Sequence, residues 1–395
     1  MQPRVRRRFG LIVAAATAIL MLLPATALSS PRKNHRALTV TNVEVLGEVI
    51  VPSFTVFDGT EIGGLSSITY DEGRDVYYAL SDDQGNRATG DPVRYYTIEI
   101  DLDEGSFDDD DLEFVDVSTL FETNKTEFAP GGLDPEGFVL GREGQLYMSS
   151  EGNIFSDPIL DPFIKRYNLQ GRVTGELPIP DKYIPNGVDF GVRQNLGFES
   201  LNMTPSGRNL VTAGEAALFQ DGPAATATDG SLARILTYDI RKKSPISEFV
   251  YEVGPWAEPS PFFGVNGIVE VLPIDDVGTM LVMERSFSVA GSLGSGTGNY
   301  VEIFEVSTEG ATNVLDVDAL YDGSGPIDFT PVSKRSVFVF EDLGIPIDNI
   351  EGMTFGPTLD DGRQTLVIVS DDNFSLFDPQ FTQFFVLAID IESAS

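Results

Sequence analysis

The sequence contains no cysteine and one histidine, His35. Without thiols there is no disulfide scaffold, no cysteine nucleophile and no cysteine zinc site. A single histidine, in a polar stretch ahead of the first strand-like segment, excludes a Ser-His-Asp triad, a histidine nucleophile and a histidine-rich zinc or copper centre. No Gly-x-Ser-x-Gly elbow is present. The glycine-rich run Gly291 to Gly298 lacks the lysine of a phosphate-binding loop and opens no helical pattern, so it reads as a loop between strands. Basic residues are scarce: 26 Lys plus Arg stand against 61 Asp plus Glu, a formal charge of −35 at pH 7. Such a chain repels nucleic acid and attracts cations.

Long apolar runs are absent beyond the N-terminus. Arg4, Arg6, Arg7 and Arg8 precede an apolar core from Leu11 to Leu23 and a small-residue site, Ala25-Thr26-Ala27. This pattern predicts a secretory signal peptide over residues 1–27, with an uncleaved anchor as the alternative. Four of the 26 basic residues fall in it, so the mature chain carries 22 against 61, a net −39. A flexible segment is expected over 28–40, then one domain over 41–395. The expected location is secreted or periplasmic. A monomer with no membrane span after signal removal is expected.

What the chain has in quantity is a repeated phrase. Gly64-Leu65-Ser66 leads to Tyr78-Ala79-Leu80-Ser81-Asp82-Asp83, and Asp134-Pro135-Glu136-Gly137 leads to Leu146-Tyr147-Met148-Ser149-Ser150-Glu151. Gly197-Phe198-Glu199-Ser200 leads to Leu210-Val211-Thr212-Ala213-Gly214-Glu215. Asn266-Gly267-Ile268 leads to Met280-Leu281-Val282-Met283-Glu284-Arg285, and Asn349-Ile350-Glu351-Gly352-Met353 to Leu366-Val367-Ile368-Val369-Ser370-Asp371-Asp372. A third strand pattern follows each pair, as in Tyr96 to Asp101 and Phe385 to Asp390. Strand, turn, strand, turn, strand at a long period predicts an all-β fold, a β-propeller of five visible units. The period of 64 to 87 residues exceeds the roughly 40–45 of a compact blade, so long loops are expected at the channel mouth. Val43 to Pro52 resembles the stretch Gly171 to Pro180 after the third strand of the second unit. The N-terminal strand is therefore expected to close the ring and remove a free edge. Val337 to Phe340 also reads as a strand, which leaves five or six blades.

The repeated acids point to chemistry. Glu136, Glu199 and Glu351 fall at matching places on the first, innermost strand and are the candidate catalytic residues. Asp82, Asp83, Glu151, Glu215, Glu284, Asp371 and Asp372 end the second strands and are the candidate metal ligands. Clustered carboxylates raise one another's pKa, and a hard cation relieves the repulsion. Oxygen-only donors favour Ca²⁺, with Mg²⁺ or Mn²⁺ as alternatives. Such an ion can polarise a phosphoryl oxygen and activate water. Arg94, Arg166, Arg234 and Arg285 are candidate phosphate contacts, because arginine binds phosphate in bidentate fashion.

These motifs resemble the family known as esterase-like activity of phytase. The resemblance rests on Gly64-Leu65-Ser66 with Ser81-Asp82-Asp83, Asp134-Pro135-Glu136-Gly137 with Ser150-Glu151-Gly152, Gly197-Phe198-Glu199 with Glu215, and Asn349-Ile350-Glu351-Gly352-Met353 with Ser370-Asp371-Asp372-Asn373-Phe374. It covers about Gly63 to Ile391. The fourth unit departs, with Gly267 where others carry glutamate, and so does the first, with Leu65. The resemblance implies a secreted propeller whose acids hydrolyse a small phosphorylated substrate, a phosphodiester or phytate-like compound. Two other readings stand beside it: a non-catalytic, calcium-stabilised propeller binding an extracellular or envelope ligand, and a lactone or carboxylic-ester hydrolase using activated water.

Overall fold

The computed structural model describes residues 36–102, 105–123, 126–375 and 380–394. The expected signal peptide, His35 and most of the expected flexible segment lie outside these residues. The N-terminal strand starts at Leu38, inside the segment expected to be flexible, because its backbone from Leu38 onward is paired along the last strand of the chain.

Five four-stranded antiparallel sheets form the blades of a β-propeller. In chain order from the axis outward, blade 1 comprises Leu65–Asp71, Val76–Ser81, Arg94–Ile100 and Leu112–Thr119. Blade 2 comprises Pro135–Gly141, Gln145–Ser150, Phe163–Asn168 and Val173–Leu177. Blade 3 comprises Phe198–Met203, Asn209–Gly214, Ser231–Asp239 and Ser244–Val253. Blade 4 comprises Gly264–Pro273, Thr279–Ser288, Asn299–Ser307 and Ser333–Val339. Blade 5 comprises Asn349–Thr358, Gln364–Asp371, Thr382–Ser393 and, as its outer strand, Leu38–Val51. The ring is closed by the N-terminal strand, as expected. The segment around Val337 is the outer strand of blade 4 and not part of a sixth blade.

The apolar runs in the second strands follow from this architecture. Each blade is covered on both faces by its neighbours, so both sets of alternating side chains are buried. Tyr77 and Ala79 face blade 5, packing with Val367, Val369, Phe384 and Val386. Val76, Tyr78 and Leu80, on the opposite face of the same strand, pack with Phe138, Leu146 and Met148 of blade 2. One such apolar cluster fills each of the five blade junctions. The outer strands face solvent along one side and carry charge there, as in Ser333–Val339, where Lys334 and Arg335 are exposed.

The inner strands run side by side around the axis, which demands small residues at the closest approaches. A Cβ at Gly137 would fall 2.6 Å from Leu201 Cβ, and one at Gly352 would fall 3.0 Å from Ser67 Cα. Because the strands alternate in direction, the starts of the inner and third strands and the ends of the second and outer strands share one face of the disc. All connections between second and third strands, and all connections between blades, leave from that face.

A carboxylate ring at the propeller mouth

Each pair of inner and second strands carries a β-bulge near the mouth, and the five bulges coincide in register. Leu65 pairs with Ser81, Pro135 with Ser150, Phe198 with Gly214, Ile268 with Glu284 and Ile350 with Ser370, and the ladder slips immediately afterwards. Bulges re-aim a side chain at the price of one ladder position. The residue that follows on the inner strand is Ser66, Glu136, Glu199, Val269 and Glu351 in the five blades. The residue that follows on the second strand is Asp82, Glu151, Glu215, Arg285 and Asp371.

This register corrects the equivalence read from the sequence. In blade 1 the position matching the glutamates belongs to Ser66, not Leu65, and in blade 4 it belongs to Val269, not Gly267. Glu284 sits one residue early, and Arg285 takes the ring position. A one-residue slip turns a side chain to the other face of a strand, so Glu284 leaves the mouth. It accepts hydrogen bonds from Tyr251 Oη at 2.5 Å, Lys334 Nζ at 2.6 Å and Asn266 Nδ2 at 3.1 Å. The residue that aligns this unit with its siblings is the glycine before the apolar position, Gly64, Gly197 and Gly267. In blade 4 it makes room for the neighbouring acid, since a Cβ there would lie 2.2 Å from Glu215 Cγ.

The mouth is therefore a ring of acids interrupted by one cation. Arg285 Nη2 lies 3.2 Å from Glu215 and its Nη1 lies 3.4 Å from Glu351, bridging blades 3 and 5, and it also donates to Asn349 Oδ1. Its Nε is buried and has no hydrogen-bond partner. Among the described residues, the other side of the ring, on blades 1 and 2, has no comparable cation. Asp134, Glu136 and Glu151 each bring an oxygen within 4.8 Å of the others, a geometry that could hold a metal ion. Asp134 was not among the sequence candidates. Its signal was its place two residues before Glu136, as Asn349 stands before Glu351.

Burial and mutual repulsion raise these carboxyls. Burial, then the charges of Asp134, Glu351 and Glu151, holds Glu136 well above the usual carboxylate range. Glu199 is raised by burial and by Glu151, Glu136, Glu215 and Glu351. Burial likewise raises Asp82, Glu151 and Asp371, reinforced by Glu351, Asp134 and Asp82 respectively. Asp134 is pushed up to about 6 by burial, and Glu351 to about 7 by burial against the opposing pull of Arg285. Asp82 Oδ1 and Glu151 Oε2 are buried without hydrogen-bond partners. Buried acceptors left unpaired are costly, and a hard cation fits this donor set, which is oxygen throughout.

The remaining candidates fall into supporting roles. Asp83 pairs with the fully buried Arg94 at 2.9 Å, while Arg94 also donates to Tyr96 Oη and Glu61 O. Arg234 forms a two-pronged pair with Asp221 and a third bond to Glu248. Arg166 binds Thr174 on the adjacent outer strand of blade 2. Of the four arginines, Arg285 alone reaches the ring. Asp372 is fixed beside it: its Oδ1 accepts the backbone N–H groups of Gly64 and Phe374, both at 3.0 Å. Asn373, Phe374 and Ser375 all hold positive φ, a strained turn of the kind stored at functional sites. It lays the Phe374 ring over Gly63 and Gly64 and under Arg87, whose guanidinium carbon is 3.4 Å from the ring centroid.

Fold and site together define a five-bladed β-propeller with a carboxylate-lined mouth. The family model described as esterase-like activity of phytase matches residues 60–374, and the chain belongs to this phytase-like family. An uncharacterized secreted protein of Arthroderma benhamiae is 28% identical over 153 residues, 32% of this chain and 28% of its own length, so the match spans under a third of that relative. Among solved structures, an endo-arabinase of Bacteroides thetaiotaomicron aligns over 87% of this chain and 99% of its own, with 12% identity and a TM-score of 0.42. Kuenenia stuttgartiensis hydrazine synthase aligns over 80% and 81%, with 13% identity and a TM-score of 0.36.

Proposed function

We propose that the chain is a metal-dependent phosphoester hydrolase acting outside the cytoplasm on small phosphodiesters or phosphomonoesters. The observation that carries this reading is the polarity of the ring: unneutralised acids on blades 1 and 2 face a single arginine from blade 4. Asp134, Glu136 and Glu151 would hold a divalent cation, with Asp82 beside them. The donor set favours Ca²⁺, and Mg²⁺ or Mn²⁺ are compatible with it. When bound, the ion supplies Lewis acidity toward a phosphoryl oxygen and lowers the pKa of coordinated water.

The residues of the chain do the rest. Arg285, held by Glu215 and Glu351, would supply the positive charge that attracts a substrate oxygen to the mouth. Glu199, whose carboxyl is held well above the usual carboxylate range by burial and by Glu151, Glu136, Glu215 and Glu351, is suited to donate a proton to the leaving oxygen. Glu351, at about 7, can accept or release a proton at working pH. Export through the sequence-predicted signal and the secreted relative support the extracytoplasmic placement. Among the described residues, no helix is long and apolar enough to cross a membrane.

The test is hydrolysis of an aryl phosphodiester and an aryl phosphomonoester, with added calcium and with chelator, by the protein and by Glu136→Gln, Glu199→Gln and Glu351→Gln. Calcium-dependent turnover lost in the variants, with unchanged circular dichroism, is expected. Absence of turnover by the folded protein under every metal would instead favour a ligand-binding propeller.

A further inference from the structure

The large apolar side chains left exposed are not spread evenly over the disc. Phe54 and Val56 lie in the connection from blade 5 to blade 1, Phe155 in the second-to-third strand connection of blade 2, and Val188 in the connection from blade 2 to blade 3. Phe262 and Phe263 lie in the connection from blade 3 to blade 4. All six leave from the mouth face, and Ile50 closes the outer strand of blade 5 at the same end. Away from the mouth face the exposed large apolar residues are Val277, in a blade 4 hairpin, and the less exposed Ile246 and Val115, on the outer strands of blades 3 and 1. These side chains are well exposed: Phe155 by 80%, Phe262 by 76% and Val188 by 75%. Phe54 is presented from a left-handed backbone position, φ 65°, which disfavours any non-glycine residue.

Charge on this face is one-sided as well. Asp58, Asp157, Asp161, Asp181, Asp189 and Asp229 are exposed on mouth-face connections. Among the described residues, these connections carry no exposed lysine or arginine. Arg87 and Arg193 are half-buried and engaged with Glu61 and with backbone carbonyls, and Lys182 is buried against Glu248.

We infer that the mouth face docks onto a zwitterionic phospholipid surface, with the phenylalanines as wedges at the bilayer interface. The apolar residues stand as two pairs, Phe54 with Val56 and Phe262 with Phe263, and two single side chains, Phe155 and Val188, on separate connections divided by polar and acidic chain. A protein interface needs a contiguous, closely packed core, whereas a bilayer accepts dispersed apolar wedges of this kind. Among the described residues, the lack of exposed cations on these connections disfavours attraction to anionic lipid, which polybasic segments provide elsewhere. The exposed aspartates instead complement the outermost ammonium groups of zwitterionic headgroups. A surface of this composition brings phosphodiester headgroups to the carboxylate ring. That last step rests on the phosphoesterase reading, whereas the docking itself does not.

The test is co-flotation of the full-length mature protein with phosphatidylcholine vesicles, with phosphatidylcholine–phosphatidylserine vesicles and without lipid, in chelator and in calcium. Binding to pure phosphatidylcholine in chelator is expected, and it should fall roughly tenfold or more in Phe262→Ser/Phe263→Ser and again when Phe155→Ser is added. Hydrolysis of a soluble aryl phosphodiester should be unchanged in these variants, which separates failure of docking from failure of the phosphoesterase reading. Their exposure protects the fold, checked by the melting temperature. The inference is overturned if the protein ignores phosphatidylcholine, binds only anionic vesicles, keeps full binding in the triple variant, or uses these phenylalanines solely to associate with itself or another protein.

Discussion

In chelator, the ring should make the protein less stable as pH rises, and calcium should cancel that loss. Burial raises Glu351 from 4.5 to about 7 and Asp134 from 3.8 to about 6. In the folded state these groups keep protons that the unfolded chain has already released. Their contribution is fully present below about 4 and is lost as pH climbs through about 6 to 7. For Glu351 this amounts to about 3 kcal/mol at 1.36 kcal/mol per pH unit. Asp134 adds a similar amount, and because both sit in one field the two sum to roughly 3–6 kcal/mol. A bound divalent cation prefers the ionised ring, so it stabilises most where the protons are lost. The gap in melting temperature between calcium and chelator should therefore widen from pH about 4 to about 7, reaching roughly 6–12 °C at about 2 °C per kcal/mol. Contributions from groups that do not respond to calcium are the same in both samples and drop out of the difference. Melting followed by circular dichroism at several pH values gives the gap directly. A gap that is zero, or that stays constant with pH, would falsify the reasoning, and Glu136→Gln should flatten it.

Removing Arg285 with Arg285→Met should cost about 3–5 kcal/mol, because Glu215 and Glu351 are left buried without their cation; urea denaturation reads the loss, and added calcium should recover part of it. Glu284→Gln should lower stability by about 1–3 kcal/mol through Lys334 and Tyr251. It should leave the calcium response intact, since this side chain is outside the ring. Gly267→Ala should perturb fold and site together, because its Cβ would press on Glu215 Cγ and lie 2.8 Å from the Glu215 carbonyl oxygen; the expected signature is a lower melting temperature together with weakened calcium binding measured by titration calorimetry.

The repeat, the strand order and the closing role of the N-terminal strand were legible in the sequence because each rests on periodicity. Runs such as Leu366-Val367-Ile368-Val369 are apolar throughout only where both faces of a strand are covered, as neighbouring blades cover them here. The glutamate trio was legible because three inner strands carry it in the same phrase. Register was not. Glu284 closes its strand as the other acids do, and only pairing with Ile268 shows that Arg285 holds the ring position. A bulge is a property of two strands, and neither strand announces it alone. The fate of the arginines was equally hidden: Arg94 and Arg234 find buried carboxylates, Asp83 just past the second strand of blade 1 and Asp221 in a short 3-10 turn, and no spacing in the sequence ties the partners together.

The closing strand also sets the order of events in folding. Leu38 pairs with Ser393 and Val51 with Thr382, so the first strand made must wait for the last. Four blades can assemble from contacts made within a short stretch of chain, but the fifth depends on the longest loop closure the molecule contains, and such closures are slow. Until the C-terminal strand is released, the apolar faces at both ends of the incomplete ring stay open. A chain of this design completes its last blade, and with it the closed ring, only in one late step.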